Sequence, residues 1–566
     1  VCIGAAALAV RLGYIAQLES TPLFNVPVGD GWQYDLWAQR IAAGDWIGSD
    51  AFYQSPLYPY FLALIYSAFG HSLMAVRVFQ AILGAAGCIL LAHAGRSFFG
   101  VNAGLAAGAM LAFYGFAVFS DGLVQKSSLD AFLIALLLAL LGMVNGPRED
   151  GPYRDGRWAP GPALAGAGLT LALLTLNRET TRLLYPVIGA WLLARSAPLR
   201  QRLSGLAIFT AAMAIVILPV AIRNYAVSGE FLISTWQLGP NFYIGNNPSA
   251  RGYYEPLAPG RGSAEFERED ATRLAEAAAG RRLSGSEISN YWLSRSFEFI
   301  RREPMTWLRQ LAVKTGFTFN AREISDSESI EAYAEYSTVL KALRWLGFGI
   351  VLPLAAAGVW LTRQRWRELA VLYGVFAALA VSVILFYVFA RYRYPMVPVA
   401  MLFAGAAFAE ITRVRKSLSV GAAIALAAAV ICHIPVAGEL ADTTLFNVGV
   451  GLVKAGRPAE GVRMLEKAVE RAPDDATAHY ELGGTLTAMG EHSRAVRAFE
   501  ATVRLRPDDW EARMALGLAL RASGRTEDAL EHFSVAARLK PDALAARKNL
   551  GMALYELGRD DEAISE

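Results

Sequence analysis

The chain has 566 residues, 54% of them hydrophobic, with a mean hydropathy of +0.33, too apolar for an ordinary soluble protein. A net charge of +3 gives no bulk electrostatic case for a nucleic-acid partner. The three cysteines, Cys2, Cys88 and Cys432, lie in apolar runs without CxxC or metal-ligand spacing and read as buried membrane residues.

Val1 to Leu18 is apolar over most of the ~20 residues that a spanning helix needs. No small-residue cleavage site follows it, so it reads as the first membrane helix rather than a signal peptide. Starting on valine and ending in mid-repeat, the sequence is expected to be a trimmed piece of a longer chain. Next comes Asp30, set between Gly29 and Gly31, which let the backbone turn sharply. Trp32, Tyr34, Leu36, Trp37 and Ile41 then predict a short amphipathic helix at the membrane interface, where aromatic rings collect. The competing reading is an interfacial loop with ordinary capping acids. Asp35 and Asp45 are secondary candidates for any acid–base role.

Apolar segments recur near 1–18, 73–95, 101–119, 123–144, 161–177, 181–194, 203–222, 344–362, 368–390, 394–411 and 418–437, eleven candidate spans in all. Residues 56–70 are apolar but short and broken by proline, which suggests a re-entrant or interfacial helix. Basic residues fall in alternate short loops: Arg96; Arg148, Arg154 and Arg157; Arg195, Arg200 and Arg202; Arg363, Arg365 and Arg367; Arg413, Arg415 and Lys416. Placing these loops in the cytoplasm puts Asp30, Asp121, Arg178-Glu179, the long segment 223–343 and Arg391 outside.

Within that segment, Gln237, Asn241, Tyr243, Asn246 and Asn247 stand among glycines and prolines. They predict a turn-rich loop whose amides and rings suit sugar hydroxyls, or simply a well-turned external loop. Arg391 and Arg393, two apart at the outer end of a span, are placed to aim planar forks at a phosphodiester, unless they only anchor the interface. Lys126 sits one turn inside a span, where an ionisable group is a functional candidate. Lys126, like Arg178 and Glu179, is a weaker candidate than the two arginines, and Arg178 and Glu179 are expected to pair with each other.

From Leu445 the chain turns charged and amphipathic. Gly456, Gly490, Gly524 and Gly558 are each 34 residues apart, as are Gly449, Gly483, Gly517 and Gly551; Pro473, Pro507 and Pro541 keep the same step, as do Leu465, Phe499 and Phe533. This is the tetratricopeptide period, with three full repeats and the start of a fourth. The division expected is 1–440 for the membrane part and 445–566 for the repeats. Stacked repeats present a concave surface for a protein partner.

The run Asp30, Tyr34, Ala38, Gly44, Ser55 to Leu64, Phe69-Gly70, Arg77 and Gln80 resembles the start of the membrane glycosyltransferases of the GT-C fold. That group includes protein mannosyltransferases and the lipid A aminoarabinose transferase. The block 237–248, with the helical stretches 265–282 and 284–301 and Pro304, Trp307 and Lys314, resembles bacterial family-39-like glycosyltransferases that carry tetratricopeptide repeats. Together the resemblance covers most of residues 20 to 400. It implies an all-α protein, a bundle of about 11 spans followed by a helical solenoid, and it implies that Asp30 is the general base. Asp121 would be a second acid, binding a divalent cation or orienting the acceptor, unless it caps a helix after Ser120. Arg391, Arg393 and Lys126 would bind the lipid phosphate. The expected reaction moves a sugar from a polyprenyl-phosphate donor to a hydroxyl of a glycan, lipid or protein, in one inverting step. It would take place on the outer face of a bacterial inner membrane, with the repeats also outside the cytoplasm. The alternatives are a transporter or flippase of lipid-linked sugars, for which Lys126 and Asp130 would be pathway charges, and a membrane-anchored assembly scaffold.

Overall fold

The computed structural model describes residues 1–145, 161–258, 264–411, 418–436 and 443–566, and among them every regular element is a helix. The basic residues expected at 148–157 and 413–416 lie outside the described residues. The chain divides into two compact units, Val1–Phe24 with Gly29–Leu440, and Asn25–Val28 with Ala441–Glu566.

Among the described residues, five helices of the first unit are long and apolar enough to cross a membrane: Cys2–Glu19, Leu73–Phe99, Ser127–Asn145, Leu199–Ser228 and Thr338–Leu361. Val101–Phe113 and Gly115–Asp121, bent by 55°, make a sixth if they are one span. Gly161–Asn177, Ala370–Ile384 and Ser419–Cys432, where further spans are expected, are shorter apolar helices. At ~1.5 Å per residue, such helices fall short of a ~30 Å hydrocarbon layer. Leu57–Phe69 forms one continuous helix despite its proline. Pro59 lies in the first turn, where backbone N–H groups have no intrahelical partner to lose.

Small residues let the bundle close. Gly95 and Gly104 face one another: a Cβ on Gly95 would lie 2.7 Å from Gly104 Cα. Gly84 makes room for a charge pair, since a Cβ there would lie 2.2 Å from Asp121 Oδ2 and 2.5 Å from Arg11 Nε. Arg11, inside the first apolar helix, bonds Asp121 at 2.6 Å with both side chains almost wholly buried. Leu199–Ser228, by contrast, leaves Leu203, Ile215, Leu218 and Ile222 exposed, as a helix facing lipid does.

The second unit is a stack of helix pairs: Thr444–Lys454 with Pro458–Arg471, Ala476–Ala488 with His492–Leu505, Trp510–Ala522 with Thr526–Leu539, and Leu544–Glu556 with Asp560–Ser565. Gly490 (φ 78°) and Gly524 (φ 82°) turn each chain between paired helices in the left-handed region. Gly483 and Gly517 sit where helices cross, with Phe499 and Phe533 filling the space a side chain would take. Those rings, together with Leu465, form the buried spine.

Candidate active site

Gly29 (φ 55°) turns the chain into the Asp30–Ala42 helix and has no room for a side chain: a Cβ would lie 2.1 Å from Ser327 Oγ. The loop that contains Ser327 therefore packs over the start of this helix. The helix buries Gly31, Tyr34, Asp35, Ala38 and Ile41, one face at the helical period. Its first residue, Asp30, meets Arg391 of the short Ala390–Arg393 helix.

Arg391 bridges two carboxylates. One Nη lies 2.7 Å from Asp30 Oδ2 and the other 2.7 Å from Asp326 Oδ2. Arg391 also donates to Gln125 Oε1 (3.1 Å), and Gln54 Nε2 donates to Asp30 Oδ1 (3.3 Å). The Asp30 and Asp326 side chains stay 17% and 21% exposed, so both can still be reached. Burial acts to raise the Asp30 pKa, but Arg391 and then Lys126 outweigh it and hold the carboxyl below its ordinary value. Asp326 is pushed upward, by burial first and by the charge of Asp30, against the pull of Arg391. Two carboxylates on one guanidinium thus differ in proton affinity.

Two cavities flank this cluster. One, with about 440 Å³ of open space, is lined by Asp326, Gln125, Ser127, Glu328 and Arg391 with Phe116 and Ile324. The other, a cleft open to solvent with about 570 Å³ of space, is lined by Lys126, Ser55, Arg178, Gln237, Asn241 and Tyr392. Residues adjacent in sequence face opposite ways: Gln125 and Arg391 border the first cavity, Lys126 and Tyr392 the second. Lys126 is 8% exposed and its ammonium lies 5.9 Å from the centre of the Tyr34 ring. Among the described residues no carboxylate or carbonyl pairs with that ammonium. The buried Ser55 hydroxyl likewise has no hydrogen-bond partner there. Two donors left unused at one cleft are the chemistry of an anion site.

Several sequence expectations are corrected by this geometry. Arg393 does not face the cleft. It is 2% exposed, ion-paired with Glu323, and donates to the carbonyls of Thr318, Asn320 and Arg322. Arg391 spends both Nη groups on carboxylates. Asp121 is neither a helix cap nor beside Asp30, because Arg11 neutralises it inside the bundle. Arg178 and Glu179 do not pair with each other: Arg178 bonds Asp130 at 2.6 Å, and Glu179 accepts from Ser234 and Thr235. Asp130, which also accepts from Asn177, is thus a structural anchor. Asp35 is held by His71 and Gln39.

The block around Gln237 is not a turn-rich loop, since Leu238–Gly245 is a helix. Gln237 and Asn241 line the larger cavity, where Asn241 also accepts from Tyr387 (3.0 Å). The Tyr243 ring lies tilted against that of Trp292, with ring centres 4.7 Å apart. Asn246 is fully buried, accepting from Trp307 and Lys314 and donating to Leu385 O. Asn247 closes the helix end by bonding Tyr243 O and Ile244 O. Both are scaffold residues.

The residues missed from sequence are Asp326, Ser55, Gln54 and Arg11. Asp326 left one trace, the alternation of serines and acids over 325–329. Among the described residues no three His, Cys, Asp or Glu side chains converge as metal ligands. Between Asp30 and Asp326, where a bridging divalent ion would have to sit, the Arg391 guanidinium is already in place. The donor set does not fit a metal.

An apolar helical bundle with a charged cleft, joined to tetratricopeptide repeats, is the class of membrane protein these features define. Residues 53–222 match the family model of dolichyl-phosphate-mannose-protein mannosyltransferases, and residues 449–488 and 485–543 match that of the tetratricopeptide repeat. The first match implies a membrane glycosyltransferase drawing on a lipid-linked sugar. It takes in Ser55 and Lys126 but not Asp30, Asp326 or Arg391. No curated protein matches the chain. Among solved structures, the crystal structure of MamA is 27% identical, covering 22% of this chain and 71% of its own, with a TM-score of 0.21. A MamA fragment from Desulfovibrio magneticus RS-1 is 24% identical, covering 22% of this chain and 69% of its own, with a TM-score of 0.21.

Proposed function

We propose that the chain transfers a sugar from a polyprenyl-phosphate carrier to an acceptor hydroxyl on the extracytoplasmic face of a bacterial inner membrane. The observation that carries this reading is the pair of uncommitted donors, Lys126 and Ser55, facing a cleft beside the Asp30–Arg391–Asp326 cluster. Lys126 and Ser55 hold the donor phosphate, and Asp30 takes the proton of the acceptor hydroxyl. The acceptor oxygen then attacks the anomeric carbon from the face opposite the phosphate. The carbon–oxygen bond to phosphate breaks, and the leaving phosphate keeps the electron pair beside the Lys126 ammonium. The sugar inverts in one step. No divalent metal takes part, and the repeats recruit a protein.

Asp30→Asn tests it. The variant keeps the size of the side chain but loses the base, and release of polyprenyl phosphate from polyprenyl-phosphate mannose should fall by ~10²–10⁴-fold. Parental release by a folded, membrane-inserted Asn variant would remove Asp30 from this role. A flippase would instead move the intact donor without releasing polyprenyl phosphate. The Arg178–Asp130 and Arg11–Asp121 pairs, already neutral, favour the transferase over a charged transport path.

A further inference from the structure

The transfer step gives Asp326 nothing to do, yet its carboxylate occupies the second arm of the arginine that holds Asp30. Its loop is fixed there, because Ser327 lies where a side chain on Gly29 would be. An arginine paired with a single carboxylate is a poor companion for a base, since its charge stabilises the deprotonated form. A second carboxylate on the other Nη divides that attraction and adds like-charge repulsion of its own, and both effects return basicity to the first.

We propose that Asp326 is a positioning residue for the transfer: it pins the Arg391 guanidinium from the far side and offsets part of its charge, so that Asp30 stays oriented and a stronger base than Arg391 alone would leave it. This rests on the reading of Asp30 as the base. The groups that bear on Asp30 come from every element around it. Arg391 and Lys126 are the cations, and Asp326 and Glu267 the carboxyls. Tyr34, Tyr53, Tyr254 and Tyr392 are the phenols, with the Gln54 amide as a donor. Of the carboxyls, Asp326 shares a cation with Asp30, whereas Glu267 accepts from Tyr53 (2.8 Å).

Coupling between two sites is reciprocal, so it can be read at Asp326, whose carboxyl is held above its ordinary value by burial first. The experiment is an infrared titration of the full chain in lipid membranes, in which the Asp326 carboxyl band is the one lost in Asp326→Asn. In Asp30→Asn the midpoint of that band should fall by about one pH unit, the size of effect a neighbouring charge exerts. In parallel, Asp326→Asn should lower kcat for release of polyprenyl phosphate from polyprenyl-phosphate mannose by about three- to tenfold. KM for the donor should not change, and Asp326→Glu should restore most of kcat. An Asp326 midpoint that is the same in Asp30→Asn and the parent overturns the proposal, and so does a loss in Asp326→Asn that lies in KM or is not rescued by glutamate. Failure of the underlying reading looks different: Asp30→Asn itself would transfer at the parental rate.

Discussion

Replacing Lys126 with methionine keeps the length of the side chain and removes the charge. In the parent Lys126 is 8% exposed, so water competes little with an incoming phosphate. A charge-assisted hydrogen bond to phosphate in such a place contributes ~1.5–3 kcal/mol. At ~1.4 kcal/mol per tenfold change, Lys126→Met should weaken binding of polyprenyl phosphate by about 10- to 150-fold. Lys126→Arg should recover only part of this, since a planar fork does not reproduce a compact ammonium tucked beside the Tyr34 ring. Ser55→Ala, which removes one neutral donor, should cost a few-fold, in line with ~1 kcal/mol for a neutral hydrogen bond. The assay is equilibrium titration of polyprenyl phosphate into the reconstituted protein, read by intrinsic tryptophan fluorescence, with polyprenol as the reference ligand. Polyprenol carries the same tail without the phosphate, so its binding should be the same in parent and variant. Parental affinity of Lys126→Met for polyprenyl phosphate, or equal losses for both lipids, would refute the assignment of this cleft to the phosphate.

Four further outcomes follow from the same geometry. Arg11→Met and Asp121→Asn should each destabilise the bundle, and the double variant should lose less than the sum, because breaking one side of a buried pair costs ~3–5 kcal/mol; additive thermal shifts would free Asp121 for another role. Arg393→Met should lower the melting temperature by stranding Glu323 while leaving polyprenyl-phosphate affinity unchanged, and a selective loss of affinity would return Arg393 to the phosphate. Glu267 is pushed up to about 7, by burial first and then by Asp30, so the folded state holds its proton more tightly than the unfolded chain, where the pKa is near ~4.3. Stability should therefore decline as pH rises from about 4 to about 7, and Glu267→Gln should flatten that slope in pH-dependent melting. Gly517→Ala would set a Cβ 2.5 Å from Phe533 Cε1 and should cost ~1–3 kcal/mol, seen as faster amide exchange across Trp510–Ala522 and Thr526–Leu539.

What the sequence determined alone was whatever is periodic or local. The 34-residue step of Gly449, Gly483, Gly517 and Gly551 announced the repeats, because helix crossings and turns impose residue types at fixed intervals. Apolar runs announced a membrane bundle, and Gly29 with the aromatic stripe after it announced the helix that opens at Asp30. Partnership was left to the tertiary structure. Arg391 and Arg393 look alike two residues apart, yet successive side chains on a short helix point in different directions, so one bridges Asp30 and Asp326 while the other is sealed against Glu323. Asp121 looked like a surface acid until a helix 110 residues earlier supplied Arg11. Lys126 stands out because the neighbouring cations Arg178 and Arg391 have been claimed by carboxylates from distant parts of the chain. Whether a charge is spent or available depends on what folding brings within a few ångströms of it, and no spacing along the chain records that distance.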